Sequence, residues 1–158
     1  MRELIFGEIT MVKKILLIGF LIISLLVAGC MVFGSYQPSV DYGQKHIEKL
    51  YKTPAVDSYV DYAESVRKEY TLKDHALFVS KVQSLGEYLG IKSDGWKFDS
   101  DAGVDSYTID YALRYPDYTQ YVRLTLVKAN GNFQMIGDRF IPEAKYKLMK
   151  EKEKAEEK

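Results

Sequence analysis

The spacing of apolar residues changes along this 158-residue chain, and each change marks a different kind of segment. An uncharged and almost wholly apolar run covers 15–28. A helical spacing near four follows over 40–89, and an alternating spacing of two begins near Trp96. The last segment, 143–158, is nearly all charged. Helices followed by strands predict an α+β fold, with the helices packed on one face of an antiparallel meander.

Three helices are predicted before the strands. The first covers 40–51 and ends before a Thr-Pro pair, because a residue that precedes proline avoids the α region. The second covers 56–70, with acids near its start and bases near its end, an order that opposes the helix dipole. The third begins at Thr71, which caps it together with Asp74, and Gly90 is expected to end it in a left-handed conformation.

The strands are predicted over 96–98, 107–115, 119–128 and 133–141. Asn130-Gly131 predicts a type I′ hairpin, because that turn needs φ > 0 at both central residues. Residues 99–103 carry turn chemistry of the same kind. In the second strand the alternation places Tyr107 and Tyr111 on a buried face. It places Asp110 on the opposite face, where we expect it to be solvated.

The apolar run has the features of a secretory signal. Lys13 and Lys14 precede it, and Gly29-Cys30 ends it. Val27-Ala28-Gly29-Cys30 resembles the lipobox of prokaryotic lipoprotein precursors. That resemblance implies a signal peptide over 1–29, cleavage between Gly29 and Cys30, and acyl chains such as palmitate on Cys30. Because two or more acyl chains anchor a protein stably, we expect a lipid-anchored protein on the extracytoplasmic face of the cell membrane.

An uncleaved transmembrane helix over 15–33 is the alternative to the lipid anchor, since about 20 apolar residues span a bilayer. With the lipid anchor, the segment 30–39 consists of the lipidated cysteine and a short tether that keeps the domain near the membrane. Glu3 and Glu8 suit a signal start poorly, so translation starting at Met11 is a further alternative. The choice between an inner and an outer membrane stays open.

The composition of the chain excludes some classes of function and of fold. Without residues 1–29 the chain has 129 residues, enough for one domain, with 19 basic and 20 acidic side chains. A net charge near −1 gives no electrostatic footprint for nucleic acid. Cys30 is the only cysteine, which excludes a disulfide-stapled domain. Thirteen tyrosines suit half-buried sheets, pocket walls and interfaces alike.

The order of helices and strands over 40–142 resembles the NTF2-like (cystatin-like α+β) superfamily, in particular small domains carried on prokaryotic lipoproteins. The matching motifs are Leu85-Gly86, Gly95-Trp96, Gly103, Tyr111, Arg123 to Lys128, Gly131, and Phe133 to Gly137. Phe-Gln-Met-Ile stands where those domains usually have Trp-x-Ile. The resemblance implies a curved sheet wrapped around an N-terminal helical hairpin to form a cone. Some members of the superfamily are enzymes that resemble ketosteroid isomerase.

If the sheet curves in that way, six residues would line the mouth of the cone: Tyr59, Tyr62, Trp96, Tyr107, Tyr111 and Leu113. A filled aromatic core and a groove for a small molecule or peptide both fit this set. His46 and His75 have polar neighbours and are expected at the surface. No catalytic residue, cofactor or metal site is predicted, because the acids around 99–105 miss the pattern of a calcium loop.

The sequence therefore favours a membrane-anchored, non-catalytic module that binds an unknown protein or small-molecule ligand. The alternative is an isomerase-type or hydrolase-type enzyme that uses the cavity of the cone. Exposed Tyr121 and Val127 beside Arg123 also indicate a face on which a homodimer would form. The charged tail 143–158 is expected to be disordered, with a frayed, solvated helix held by Glu–Lys pairs as the alternative.

Overall fold

A computed structural model describes residues 34–156, and it has the predicted α+β architecture. The helices are α1 (34–52), α2 (Ala55–Tyr59), α3 (Glu64–Arg67), α4 (Leu72–Gln83) and α5 (Glu143–Glu156). The strands are β1 (Gly90–Asp101), β2 (Val104–Arg114), β3 (Thr119–Ala129) and β4 (Asn132–Pro142). The predicted signal peptide, Cys30 and the start of the tether lie outside the described residues. None of the helices within 34–156 is long and apolar enough to cross a membrane.

The four strands form one antiparallel sheet in the order β1-β2-β3-β4. The predicted hairpin between β3 and β4 is confirmed, with φ of 52° at Asn130 and 80° at Gly131. The β1–β2 turn repeats this geometry, with φ of 48° at Ala102 and 80° at Gly103. Two positive φ angles in a row match the twist of adjacent strands, so local turn chemistry sets the register of both hairpins.

The first helix is confirmed, but it is longer than predicted because 34–39 are also helical. Ser39 is fully buried, and its hydroxyl accepts a hydrogen bond from Trp96 Nε1 at 3.1 Å. Gly, Ser and Pro in this stretch are typical of a linker. The contact with β1 outweighs that local preference and extends the helix.

The single helix predicted over 56–70 is wrong, because the chain breaks it into α2 and α3. Between them, the Met135 amide donates to the Asp61 carbonyl at 2.8 Å, and the Ala63 amide donates to the Met135 carbonyl at 2.8 Å. These groups would otherwise continue the helix. The segment instead makes a parallel bridge between Tyr62 and Met135 at the edge of β4.

The predicted start of α4 is confirmed and its predicted end is wrong. Thr71 Oγ1 accepts from the Asp74 amide at 3.2 Å, and the Asp74 side chain accepts from the Thr71 amide, which completes a capping box. The helix stops at Gln83, whereas Gly90 begins β1. The earlier Gly86 has the positive φ of 80° instead.

The charged tail is helical as α5 rather than disordered, at least to Glu156. Its Tyr146 is buried and stacks on Tyr121 of β3 with ring centroids 3.9 Å apart. This helix lies on what we call the outer face of the sheet. The opposite, inner face carries α1 and the main core, whose fully buried strand residues include Tyr107, Ile109, Tyr111, Leu113, Leu124 and Leu126.

Candidate functional site

The six residues predicted to line a pocket lie on the inner side of the sheet, packed in the core. Tyr62, Tyr107, Tyr111 and Leu113 are buried, and Tyr59 and Trp96 are half-buried against them. The Tyr111 hydroxyl donates to the Val40 carbonyl at 2.6 Å. A Cβ at Gly43 would lie 2.4 Å from that hydroxyl, so α1 approaches the sheet too closely to leave an open space there.

Ring contacts join four of these six residues in two separate pairs. Trp96 and Tyr107 meet with ring centroids 6.2 Å apart, near Phe98 and Phe133. Tyr59 and Tyr62 meet at 6.5 Å beside His75. The six side chains therefore do not surround one common space.

The predicted surface positions of His46 and His75 are wrong, since their exposures are 1% and 0%. Both belong to what we call the inner polar cluster, which consists of His46, Asp61, Tyr62, His75 and Asp138. A helical spacing explains why they are buried: His46 precedes Leu50 by four residues, and His75 precedes Val79 by four. This helical spacing indicates burial, but the polar residues adjacent in sequence to both histidines favoured a surface position.

His46 is oriented by a carboxylate. Its Nδ1 donates to Asp61 Oδ2 at 2.9 Å, and Lys49 Nζ donates to Asp61 Oδ1 at 2.6 Å. Burial alone would raise the pKa of Asp61, but the hydrogen bonds from His46 and Lys49 outweigh it and hold that pKa below its usual value. Because a carboxylate only accepts, the proton on His46 lies at Nδ1 and leaves Nε2 facing the interior.

His75 is held in a different way. Its Nε2 lies 2.7 Å from Ser58 Oγ, which donates in turn to the Ala55 carbonyl at 3.2 Å. Burial, with a smaller contribution from His46, lowers the pKa of His75 to about 4. His75 is therefore neutral at pH 7 and packs as an aromatic ring against Tyr62, with centroids 5.3 Å apart.

Four buried side-chain polar atoms in residues 34–156 make no hydrogen bond of good geometry, and all four belong to the inner polar cluster: His46 Nε2, Tyr62 Oη, His75 Nδ1 and Asp138 Oδ2. The Tyr62 hydroxyl and the Asp138 carboxyl are nevertheless close enough to perturb each other's pKa. Burial raises the pKa of Asp138, while His46 and Tyr62 oppose that rise. Buried polar groups are normally paired, so this concentration sets the cluster apart from the rest of the core. No group of three or more possible metal ligands occurs within the described residues.

The outer face carries a second polar network, centred on Asp110. The alternation placed Asp110 on the correct face, but the prediction that it is solvated is wrong, because α5 covers it to 2% exposure. Arg123 donates to both carboxylate oxygens, at 2.7 and 2.9 Å. Lys150 and the Tyr146 hydroxyl reach Asp110 Oδ2 at 3.0 and 3.1 Å. Although burial alone would raise the pKa of Asp110, these partners hold it below its usual value.

This network occupies the face on which a homodimer was predicted. Tyr121 lies under Tyr146, and Arg123 binds Glu153 of α5 at 2.9 Å. Tyr121 and Val127 are half-buried rather than exposed. The chain's own C-terminal helix therefore covers part of the surface expected for a second copy.

Within residues 34–156, grooves open on the outer face and at the C-terminal end of α1. The first, which we call the outer groove, has a volume of about 450 Å³ and lies between the sheet and the C-terminal half of α5. Its charged lining residues are Lys97, Asp110, Arg123, Lys150, Glu153 and Glu156. The second place is the C-terminal end of α1, where adjoining grooves of about 380 and 480 Å³ share Tyr51, Lys52 and Gln83.

The sequence matches no model of a known protein family, and no curated protein matches it.

Proposed function

We propose that the chain is a membrane-anchored lipoprotein whose α+β domain is an NTF2-like, non-catalytic module that binds a protein or small-molecule ligand. The observation that carries the anchor is Val27-Ala28-Gly29-Cys30 at the end of an uncharged apolar run. Small residues followed by the chain's single cysteine are the pattern that lipoprotein processing requires. A lipid on Cys30 would hold the module at a membrane surface essentially permanently.

Two features of the domain support a binding module. Helices packed on a four-stranded antiparallel meander are compatible with an NTF2-like fold. The inner face is filled by its own tyrosines, since Tyr62, Tyr107, Tyr111 and Tyr115 are each less than 5% exposed. The grooves described above open elsewhere, on the outer face and at the end of α1. A filled interior with open surface grooves suits recognition better than enclosed chemistry.

Intact mass spectrometry of the full chain, purified from membranes, tests the anchor. We expect a polypeptide that starts at Cys30 and carries added acyl mass. Cys30→Ser should lose that mass and keep residues 1–29, whereas the matched Gly29→Ala variant, which retains a small residue before the cleavage point, should be processed normally. An unmodified wild-type chain that retains 15–33 would support the transmembrane alternative and overturn the lipoprotein proposal.

A second candidate function is an isomerase-type or hydrolase-type enzyme, and the inner polar cluster is the observation that favours it. Asp61 orients His46 with Nε2 directed inward, the position of a general base. Asp138, whose pKa is raised by burial, and the Tyr62 hydroxyl would be the donors that face it. Buried groups with perturbed pKa values occur at active sites more often than in ordinary cores.

Turnover of p-nitrophenyl esters and of a β,γ-unsaturated ketone distinguishes the two candidates. The enzyme requires measurable turnover that Asp138→Asn and Tyr62→Phe abolish while the fold is retained. The control is Asp99→Asn on the exposed end of β1, which should leave any turnover unchanged. Absence of turnover, together with changes in stability alone for the two cluster variants, would favour the binding module.

A further inference from the structure

The C-terminal half of α5 places one of its own carboxylates in a cationic site. Glu153 Oε1 lies 2.9 Å from Arg123 Nη2, and Glu153 Oε2 lies 3.2 Å from Lys150 Nζ. Each carboxylate oxygen therefore meets one cation. The same two cations also bind Asp110, which is buried beneath them. Glu153 itself is 41% exposed, so it closes the site from the solvent side.

The two acids have different roles in this arrangement. Asp110 lies on the sheet and has four donors from three residues, so its charge is fully compensated. Glu153 lies on a helix and reaches the same cations from the open side of the outer groove. Removing the Glu153 carboxylate would leave Arg123 still paired with Asp110, and it would expose donors that face the groove.

The last turn of α5 is weakly held. Tyr146 and Lys150 fasten the helix to the sheet through the ring stack and the bond to Asp110. After Lys150, Glu153 contacts Arg123 of β3, and the helix ends at Glu156. The last turn contains both Lys154 and two glutamates, so its charges do not clearly favour the helix dipole, and helix ends fray. The last turn can therefore open while the first part of α5 stays docked.

Gly95 keeps the first part of α5 in place. It follows a bulge in β1, and a Cβ at this position would lie 3.2 Å from both Asp110 Oδ2 and Lys150 Nζ. The glycine therefore gives Lys150 room to reach Asp110 across β1. As a result, Lys150 belongs to the floor of the outer groove even when the last turn of the helix is released.

Without the glutamates of the last turn, the outer groove has an excess of positive charge. Lys97, Arg123 and Lys150 then face only Asp110, which leaves two positive charges uncompensated. Within residues 34–156, Lys97 is exposed and forms no ion pair. The volume of about 450 Å³ lies in the usual range for ligand pockets.

We propose that the outer groove is a docking site for an acidic peptide segment of a partner protein. One carboxylate of the partner replaces Glu153 on Arg123 and Lys150, and a second binds Lys97. The site accepts a carboxylate because the chain already binds one there, with one oxygen on each cation. This inference deepens the proposed interaction function and rests on it for the binding role, but not for the lipid anchor.

Fluorescence anisotropy of a fluorescein-labelled hexaglutamate peptide tests the site, with the full chain held in detergent at low ionic strength. Glu153→Gln removes the competing carboxylate and should tighten binding by up to about fivefold, the range of a partly exposed ion pair. Lys97→Gln should weaken binding by about threefold. The matched control is Lys92→Gln, an exposed lysine on the same strand that does not line the groove, and it should change nothing.

Two outcomes would overturn the docking site: no tightening with Glu153→Gln, or equal weakening by Lys92→Gln and Lys97→Gln, which would mean general charge attraction. Phosphatidylglycerol vesicles provide a further arm. If they bind in a Lys97-dependent way and the peptide does not, the site recognises lipid phosphate and the peptide proposal is wrong. The intact mass of the same sample reports acylation of Cys30, so failure of the anchor and failure of the groove are read separately.

Discussion

The two faces of the sheet are stabilised in different ways, although the same strands form both. Along β3, Val122, Leu124 and Leu126 are fully buried on the inner face. Tyr121 and Arg123, which alternate with them, are half-buried under α5. The inner face is held by apolar packing, whereas the outer face is held by one aromatic stack and a group of ion pairs. We therefore expect the inner face to be the more stable of the two. We also expect α5 to detach from the outer face without unfolding of the domain.

The largest expected effect comes from truncating a buried side chain on the inner face. Leu124→Ala should lower the free energy of unfolding by about 3 kcal/mol, because it removes a fully buried side chain and leaves a cavity. Thr125→Ala, the next residue on the outer face, should cost less than about 0.5 kcal/mol. Urea unfolding followed by circular dichroism measures both. Similar losses for the two variants would remove the contrast between the faces.

Asp110→Asn tests the outer network and should have the next largest effect. Breaking a buried ion pair costs about 3–5 kcal/mol, but Arg123 and Lys150 are partly exposed and retain access to water, so we expect about 2 kcal/mol. Hydrogen exchange should show α5 losing protection while β2 and β3 keep theirs. Asp99→Asn, at an exposed position, should have almost no effect. Loss of protection throughout the sheet would contradict the separation of the two faces.

Acid should weaken the inner face through His75. The pKa of His75 is about 4 in the folded chain and about 6.5 in the unfolded chain. Between these pH values, His75 is therefore protonated in the unfolded chain but not in the folded chain. Stability should therefore fall as the pH drops from about 6.5 to about 4. The groups that face this ring are Ser58, Tyr59, Tyr62, Tyr70 and Phe78, with His46 and Asp61 acting through space.

His75→Phe keeps a ring in the same place and should remove that part of the pH dependence. Asp61 and Asp110 have lowered pKa values, so their contributions persist through this window and are lost only below their ordinary range. The raised pKa of Asp138 acts in the opposite direction. Unfolding free energies of wild type and variant at several pH values give the difference directly. Equal slopes would mean that His75 is already protonated in the folded domain.

Salt should produce the smallest effect, and only on the outer face. The Arg123–Glu153 pair is partly exposed, so raising the ionic strength to about 1 M should weaken the docking of α5 by roughly 0.5 kcal/mol. Hydrogen exchange of α5 amides should speed up by about twofold. Amides of β2 should change less, because this strand is hydrogen-bonded to a neighbouring strand on each side. An equal response of helix and strand would indicate a general salt effect on the domain.

The last three strands and the turns were predictable because their signals are local, whereas β1 covers Gly90–Asp101 and the alternation predicted only 96–98. The alternation over 107–115 and the Asn130-Gly131 pair each specify geometry within a few residues. The ends of the helices were less predictable, because distant groups decide them. Met135 interrupts the predicted second helix, and Trp96 lengthens α1. Tertiary contacts override local propensity in both cases.

The polar sites depended on contacts that no motif records. Asp61 and His46 are fifteen residues apart on different elements, and Asp110 meets α5 thirty-six residues later, at Tyr146. The tail that carries Tyr146 is so rich in charged residues that one aromatic residue did not produce a detectable apolar spacing, and the sequence therefore did not predict that this helix packs on the sheet. The prediction at Cys30 is different in kind, because it depends only on the neighbouring residues and lies outside the described structure.

The bridge between Tyr62 and Met135 also protects the rim of the sheet. A bare strand edge offers unpaired amides and carbonyls to any neighbour, and this is how many β proteins begin to aggregate. Here the Asp61–Ala63 segment occupies both backbone groups of Met135. If the proposed lipid anchor holds many copies on one surface, their sheet edges would meet at high local concentration, and the bridge at Met135 would leave one position of β4 less open to such pairing.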